Sequence, residues 1–323
     1  HDDLLAYLVR RLLENGSNSS FINRFLDAKL PAESLVRDPL VLVRETTPIA
    51  HPGICLPGEI YGAQRINSAG VDLTDAVSVD ILTSAVGQST TLVEAASIIG
   101  GEIQQGSLTS ILNPARHMDV VGTASIMKAP PVDQAFLLAT NAQPSWDLLG
   151  SNRRADILLA FSNALEGERN RFVALLCREA GKTYADAVAE VREAVDFSRF
   201  YASQARQLFE DPQVLPGPTG ESNELSLHGR GIFVCISPWN FPLAIFIGQV
   251  TGALAAGNCA IAKPASATPL IAFEAIQLLH KSGVPAAVCQ LVLGNSEVGD
   301  SLVRHSSTAG VVFTGSTQAA QMI

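Results

Sequence analysis

The last hundred residues alternate between short apolar runs and longer segments in which apolar residues recur at helical spacing. We predict strands at 232–236, 259–262, 288–293 and 310–313, and helices between them at 243–256, 269–281 and 297–304. Apolar strands that alternate with helices form βαβ crossovers and a parallel sheet covered on both faces. The pattern therefore predicts an α/β fold with a doubly wound parallel sheet.

The rest of the chain is predicted to be mainly helical. Residues 132–209 form helices with two apolar stripes, and residues 101–125 alternate as strands do, with a turn at Asn113-Pro114. Residues 40–75 are rich in Pro and Gly and are predicted to be an extended linker. Helices are also expected at the two ends of the chain. The first helical pattern has no start and the last has no end, so we expect the chain to be a segment of a longer polypeptide. The predicted divisions are 1–38, a linker with helices at 39–99, and 100–323.

Composition narrows the possible partners and location. The net charge of −9 argues against a nucleic-acid surface. No apolar run reaches the roughly 18 residues of a membrane span, and the first residues do not resemble a signal peptide. The five cysteines are scattered without metal-ligand spacing, so we predict no metal site and reduced, buried thiols in a cytoplasmic protein. They are Cys55, Cys177, Cys235, Cys259 and Cys289.

A rigid turn follows the first strand of the predicted sheet. Pro238 and Pro242 bracket Asn240, which leaves the Asn240 amide little conformational freedom. A preorganised N–H donor is what stabilisation of an oxyanion requires. The alternative is a turn asparagine that bonds its own backbone, and the spacing favours neither.

Three further signals follow the other strands. Lys263 can donate to ribose oxygens, with a solvated lysine as the alternative. The turn from Gly294 to Gly299 enters a helix, and Ser316 after Gly315 can cap the last helix and reach a phosphate oxygen. In an open parallel sheet, the carboxyl ends of the strands form the edge where dinucleotides bind. Together, the four signals predict a dinucleotide site there.

Three motifs carry a family resemblance. Ser237-Pro-Trp-Asn-Phe-Pro242, Lys263-Pro-Ala265 and Phe313-Thr-Gly-Ser316, in this order, resemble the cofactor domain of the aldehyde dehydrogenase superfamily. The resemblance extends over about residues 100–323 and includes a helical lead-in at 181–197. It implies NAD as cofactor and Asn240 as the catalytic oxyanion donor. It also implies cofactor contacts at Ile236, Pro238, Trp239, Lys263, Ser266, Gly294, Gly299, Phe313, Gly315 and Ser316.

Two departures from the family pattern affect the expected cofactor. Ser266 stands where many members carry a glutamate that repels a 2′-phosphate, so the resemblance leaves NADP open as well. The turn after Gly294 is one residue shorter than the common pattern, and Ser296 replaces a frequent second glycine. The floor of the expected groove therefore differs from the family pattern.

The N-terminal helix carries a second resemblance. Tyr7, Arg10, Arg11 and Glu14 share one helix face, and two guanidiniums suit a carboxylate, as an amino-acid substrate needs. A solvated charged face is the alternative. The segment resembles the last helix of the proline dehydrogenase barrel, and the combination resembles bifunctional proline-catabolic enzymes.

That combination implies the activity and partners of a longer enzyme. Proline would be oxidised with FAD, and glutamate semialdehyde would then be oxidised to glutamate with NAD. The resemblance also implies a homo-oligomer and allows a membrane association for electron transfer. The catalytic cysteine and glutamate are expected beyond Ile323, so we expect this segment alone to be inactive. Two alternatives stay open: a non-catalytic binding or scaffolding module with a vestigial fold, and a proline dehydrogenase tail fused to a vestigial sheet.

Overall fold

Two compact units, His1–Leu56 and Pro57–Ile323, make up the chain. The computed structural model describes residues 2–16, 21–48, 50, 53–88 and 92–323. Its described helices do not combine the length and apolar character needed to cross a bilayer.

The first unit is built from short helices. They are α1 (Asp2–Gly16), α2 (Phe21–Leu26), a 3₁₀ helix (Ala32–Ser34) and α3 (Pro39–Glu45). Helix α3 corrects the expectation that the extended linker starts at residue 40. Asp38 accepts a hydrogen bond from the N–H of Leu40 at 2.8 Å, and Pro39 occupies the first helical position. This cap and the fixed φ of proline start a helix in a segment whose composition is typical of a loop.

The second unit begins with a 3₁₀ helix, one α-helix and five strands. These elements are a 3₁₀ helix (Pro57–Glu59), α4 (Ala76–Gln88), β1 (Val93–Ala96), β2 (Ile98–Ile99), β3 (Glu102–Ile103), β4 (Ser107–Asn113) and β5 (Arg116–Ile126). Strands β4 and β5 pair antiparallel, and β1 lies parallel to β5, so the three form a separate sheet. The strands expected between 101 and 125 are thus present, with Asn113 at the turn.

Helices dominate the middle of this unit, as expected. They are α5 (Val132–Leu148), α6 (Ser151–Gly167), α7 (Arg169–Glu179) and α8 (Tyr184–Phe209), and a hairpin of β6 (Gln213–Leu215) and β7 (Asn223–Leu225) follows. The C-terminal part then alternates strands and helices. Its elements are β8 (Ile232–Ile236), α9 (Ala244–Ala255), β9 (Cys259–Lys263), α10 (Pro269–Lys281), β10 (Cys289–Leu291), α11 (Ser296–Arg304), β11 (Thr308–Phe313) and α12 (Thr317–Met322).

The main sheet has six strands in the order β11-β8-β9-β10-β2-β3. The first four are parallel, which confirms the predicted doubly wound fold, whereas β2 and β3 add an antiparallel edge. The chain moves from β8 through β9 to β10 on one side and returns to β11 on the other side of β8. The carboxyl ends of β8 and β11 therefore form the switch point at which open α/β sheets bind ligands.

Helices α8 and α9 pack closely beside this sheet. A Cβ added at Gly248 would lie 3.1 Å from the ring of Phe197, and one at Gly252 would lie 3.3 Å from the ring of Tyr201. Both glycines are on α9, one turn apart. The missing side chains let the aromatic rings of α8 lie against the α9 backbone, which ties the turn before α9 to α8.

Candidate functional site

A cavity of about 650 Å³ opens at the carboxyl ends of the parallel strands, beside α11. Five of the predicted cofactor residues line it: Ile236, Lys263, Ser266, Gly299 and Phe313. Ile236 lies opposite Lys263 where β8 pairs with β9, and it lies opposite Phe313 where β8 pairs with β11. Strand register alone therefore brings three of these side chains to one edge. The cavity has the size of a small-molecule site.

The remaining predicted residues lie outside the lining of this cavity. Gly294 is adjacent, because its carbonyl accepts a hydrogen bond from the Ser266 hydroxyl at 3.1 Å. Pro238, Trp239 and Asn240 belong to the turn after β8, where the Trp239 side chain is 62% exposed and Asn240 is also exposed.

The turn after β11 contains the last two predicted residues, Gly315 and Ser316, and both are exposed. The Ser316 hydroxyl accepts from the N–H of Ala319 at 3.2 Å, so it caps α12. Neither residue lines the cavity, whereas Ala319 does.

Lys263 is the cation of the cavity. Its side chain is buried, and burial lowers the pKa of its ammonium group. The Nζ atom lies 3.4 Å from the carbonyl oxygen of Pro264, and within the described residues Lys263 forms no ion pair. A Cβ at Gly299 would lie 3.6 Å from the Lys263 stem, so α11 passes close to it. An ammonium without a carboxylate partner is well suited to donate to ligand oxygens.

The N-terminus of α11 is partly satisfied by the protein itself. Asn295 Oδ1 accepts from the N–H groups of Glu297 (3.1 Å) and Val298 (3.3 Å). Glu297 and Asp300 add carboxylates to the lining, together with the hydroxyls of several serines. Carboxylates accept from ligand hydroxyl groups and repel phosphate, and serine hydroxyls can bond to ligand hydroxyl groups as donors or acceptors. This part of the cavity therefore suits the sugar of a nucleotide better than its phosphates.

Two buried glutamates, which the sequence reasoning did not single out, anchor the helices around the site. Glu190 Oε1 accepts from the N–H groups that begin α9, and the two oxygens of Glu179 accept from those of Leu270 (2.7 Å) and Ile271 (2.8 Å) at the start of α10. Burial raises the pKa of Glu179 to about 8. Spacing gives no signal for such caps, because each glutamate lies more than fifty residues from the helix that it caps.

A second cavity of about 480 Å³ lies between α8, α9, β8 and β11. It is mainly apolar, and Phe197, Tyr201 and Gln249 line it. The Gln249 Nε2 donates to the carbonyl of Ile236 (3.0 Å) and to the Thr314 hydroxyl (3.2 Å), and its buried Oε1 has no hydrogen-bond partner among the described residues. The sequence reasoning missed this cavity, although the two glycines of α9 were a possible signal.

Burial disfavours the thiolate form of the cysteines of the second unit. It raises the pKa of Cys177 to about 11, that of Cys235 and Cys259 to about 12, and that of Cys289 well above its usual value. All five cysteines are free, but Cys55 is exposed and Cys177 is only partly buried, which corrects the expectation that all are buried. The described residues contain no group of three or more His, Cys, Asp or Glu that could hold a metal ion.

The predicted proline-binding face lies on α1 in the first unit. Tyr7, Arg10 and Arg11 are exposed there, and the Arg11 guanidinium lies 5.8 Å from the centre of the Tyr7 ring. The side chain of Glu14 lies outside the described residues. Tyr7, Arg10 and Arg11 thus have the helical spacing on α1 that the sequence predicts.

Comparison with known proteins gives consistent similarities. Residues 103–323 match the model of the aldehyde dehydrogenase family. The whole chain is 43% identical to the bifunctional protein PutA of Salmonella typhimurium, of which it spans 24%. Over 68% of its length, the chain is 39% identical to the 1-pyrroline-5-carboxylate dehydrogenase of Anoxybacillus flavithermus, and this match covers 43% of that enzyme. The chain thus spans about a quarter of the length of the bifunctional relative.

Solved structures show the same relationship. The chain resembles proline utilization A of Bradyrhizobium japonicum with a TM-score of 0.77 and 43% identity, over 99% of this chain and 29% of that one. It also resembles the 1-pyrroline-5-carboxylate dehydrogenase from Thermus with bound NAD, with a TM-score of 0.74 and 30% identity. That match extends over 79% of this chain and 51% of the other.

Proposed function

Because the chain belongs to the aldehyde dehydrogenase family, we propose that it provides the dinucleotide groove of a bifunctional proline-catabolic enzyme. The similarity to PutA over the whole chain supports this assignment. The enzyme would oxidise proline with FAD and then oxidise glutamate semialdehyde with NAD. The observation that carries the proposal is the convergence of five predicted cofactor residues on one cavity at the switch point of the sheet.

Each side of the cavity has a role in the proposed binding of NAD. Lys263 donates to the ribose hydroxyls of the adenosine. The Ser266 hydroxyl, which donates its own proton to the Gly294 carbonyl, accepts from ribose hydroxyls, as do Glu297 and Asp300. Ile236 and Phe313 supply apolar contacts for the rings. Gly294, Gly299, Gly315, Ser316, Pro238 and Trp239 border the remainder of the dinucleotide. Ser266 itself carries no charge that would repel a 2′-phosphate, so the choice between NAD and NADP is left to the titration below.

In the proposed reaction, a cysteine thiolate supplied elsewhere in the enzyme adds to the aldehyde carbon, and bound NAD would supply the hydride acceptor. Water would then hydrolyse the resulting thioester, which gives glutamate and frees the thiol. Asn240 donates its amide N–H to the oxyanion that forms when the thiolate adds. The cysteines of the second unit of this chain have raised pKa values and none lines the cavity. We therefore propose that this chain alone binds NAD without oxidising the aldehyde.

For the first unit, we propose that Tyr7, Arg10, Arg11 and Glu14 contact proline in the enzyme. Two guanidiniums hold a carboxylate in a bidentate manner, as an amino-acid substrate needs. A cytoplasmic homo-oligomer, with membrane association for electron transfer, completes the proposal. These features are proposed from the resemblance to bifunctional proline-catabolic enzymes.

Isothermal titration of the purified chain with NAD tests the proposed groove. We expect saturable binding, and the same titration with NADP measures the preference at Ser266. Asn240→Ala is a control that separates NAD binding from catalysis. It removes the proposed oxyanion donor, which lies outside the cavity lining, and should leave the NAD affinity unchanged. A chain that is folded but binds neither dinucleotide would support the vestigial scaffolding alternative.

A separate assay addresses chemistry. The purified chain is mixed with glutamate semialdehyde and NAD, and the absorbance of NADH is followed. We expect no formation of NADH above the background without protein. Robust turnover by the chain alone would contradict the proposal that its thiols are unreactive.

A further inference from the structure

The turn at residues 237–242, which carries Asn240, is anchored differently at its two ends. At its start, the N–H of Ser237 donates to the carbonyl of Lys263 at 3.3 Å, so strand pairing holds it. At its end, α9 begins after Leu243, which provides no side-chain cap. The first N–H groups of a helix need partners from outside the helix.

Glu190 of α8 provides these partners. Its Oε1 accepts from the N–H groups of Leu243 at 2.8 Å and Ala244 at 3.2 Å. Glu190 is 1% exposed, so water does not compete for these bonds. A charged acceptor at a helix N-terminus forms strong hydrogen bonds. The point at which the turn ends is therefore fixed by a residue of another helix.

Lys182 connects this cap to the turn itself. Its Nζ lies 2.6 Å from Glu190 Oε2 and 4.3 Å from the centre of the Phe241 ring. An ammonium at this distance from an aromatic face is attracted to it. One ion pair, between the partly buried Lys182 and the buried Glu190, thus contacts both Phe241, which directly follows Asn240, and the start of α9 at Ala244.

We propose that Lys182 and Glu190 are positioning residues that fix the place of the Asn240 amide. They act through Phe241 and the start of α9. The inference deepens the proposed function, in which Asn240 donates to the oxyanion, but the placement of the turn can be tested without any reaction. A misplacement of a catalytic group by about 1 Å lowers turnover on the order of 100-fold.

The two tryptophans of the chain make the turn visible by nuclear magnetic resonance. Trp239 lies directly before Asn240, whereas Trp146 is buried and its indole N–H donates to the carbonyl of Leu254 at 3.0 Å. With ¹⁵N-labelled tryptophan, the spectrum contains two indole signals, which Trp239→Phe assigns. We expect Lys182→Met and Glu190→Gln to shift the Trp239 signal and to leave the Trp146 signal in place. Lys182→Arg, which keeps the cation, should restore the Trp239 signal.

Glu179→Gln is the matched control. Glu179 is also a buried cap of a helix N-terminus, but it serves α10 and has no contact with the turn. If caps matter only for overall stability, Glu179→Gln and Glu190→Gln will affect the Trp239 signal equally, and the proposal is overturned. An unchanged Trp239 signal in folded Lys182→Met overturns it as well.

Phe241→Leu keeps the test decisive if the buried variants do not fold. It removes only the aromatic contact of Lys182 at a partly exposed position, and we expect a Trp239 shift in the same direction. No shift in this variant counts against the role of the ion pair. NAD titration of the unmodified chain is independent of these spectra, so failure of the proposed function and failure of this inference give different results.

Discussion

Glu179 makes the stability of the second unit depend on pH in an unusual direction. Its carboxyl group is buried between the end of α7 and the start of α10, and burial raises its pKa from 4.5 to about 8. The folded chain therefore binds this proton more tightly than the unfolded chain does. The resulting stabilisation is complete below pH 4.5 and is lost as the pH rises through 8.

The size of the effect follows from the two pKa values. A change from 4.5 to about 8 corresponds to a loss of up to roughly 4 kcal/mol in the free energy of unfolding between the two pH limits. Glu179→Gln removes the ionisable group. The difference in unfolding free energy, variant minus unmodified chain, should therefore become more positive by up to about 4 kcal/mol as the pH rises from 4.5 to 8.5.

Urea unfolding at pH 5, 7 and 8.5 measures this difference. The fluorescence of Trp146, which is buried in the second unit, reports its unfolding. Glu221→Gln is the control, since it makes the same chemical change at an exposed position and should show no comparable trend. A Glu179→Gln difference that is constant across this range would show that Glu179 stays ionised in the folded chain and would refute the reasoning.

Three further predictions concern the cavity, the core and the ion pair of Asp119 on β5. Lys263→Met should weaken NAD binding about 10-fold in titration, because loss of a charge-assisted hydrogen bond costs roughly 1.5 kcal/mol. Phe246→Ala should lower the free energy of unfolding by about 3–5 kcal/mol in urea, because the ring is fully buried. Asp119→Asn should cost less than about 1 kcal/mol at pH 7. The Arg178 guanidinium, 2.8 Å away, lowers the pKa of Asp119 in the folded chain. The loss of unfolding free energy in Asp119→Asn should therefore be constant above the usual pKa of an aspartate and disappear as the pH falls through the lowered pKa of Asp119.

Much of the fold could be predicted from local pattern. The bounds of β8 and α10 coincide with those expected, because an apolar run after glycine and a proline at the first helical position are local signals. Strand β2 was not predicted, and β3 lies in the segment expected to form strands but its place in the main sheet was not predicted. Both have two residues, too few for any periodicity, and β2 joins the sheet by pairing with β10, where Ile98 lies opposite the distant Leu291.

The candidate site divides in the same way. Ile236, Lys263 and Phe313 could be placed at one edge from the sequence, because strand ends of a parallel sheet must meet there. Asn240 and Ser316 were expected to face a common cleft with Lys263, yet neither lines its cavity. A turn can leave a strand end in several directions, and the packing around it selects one. Their roles in catalysis and cofactor binding stay predictions.

The sequence by itself determined most strands and helices of the second unit, the parallel direction of the last four strands and the edge of the sheet at which Ile236, Lys263 and Phe313 meet. These features depend on apolar spacing and on residues that begin or end elements within a few positions. Only the tertiary structure decided that Glu190 caps α9, that Glu179 caps α10 and that Lys182 joins an aromatic ring to a buried carboxylate. Such contacts join residues far apart in the chain, and their energies depend on burial, which local pattern does not encode.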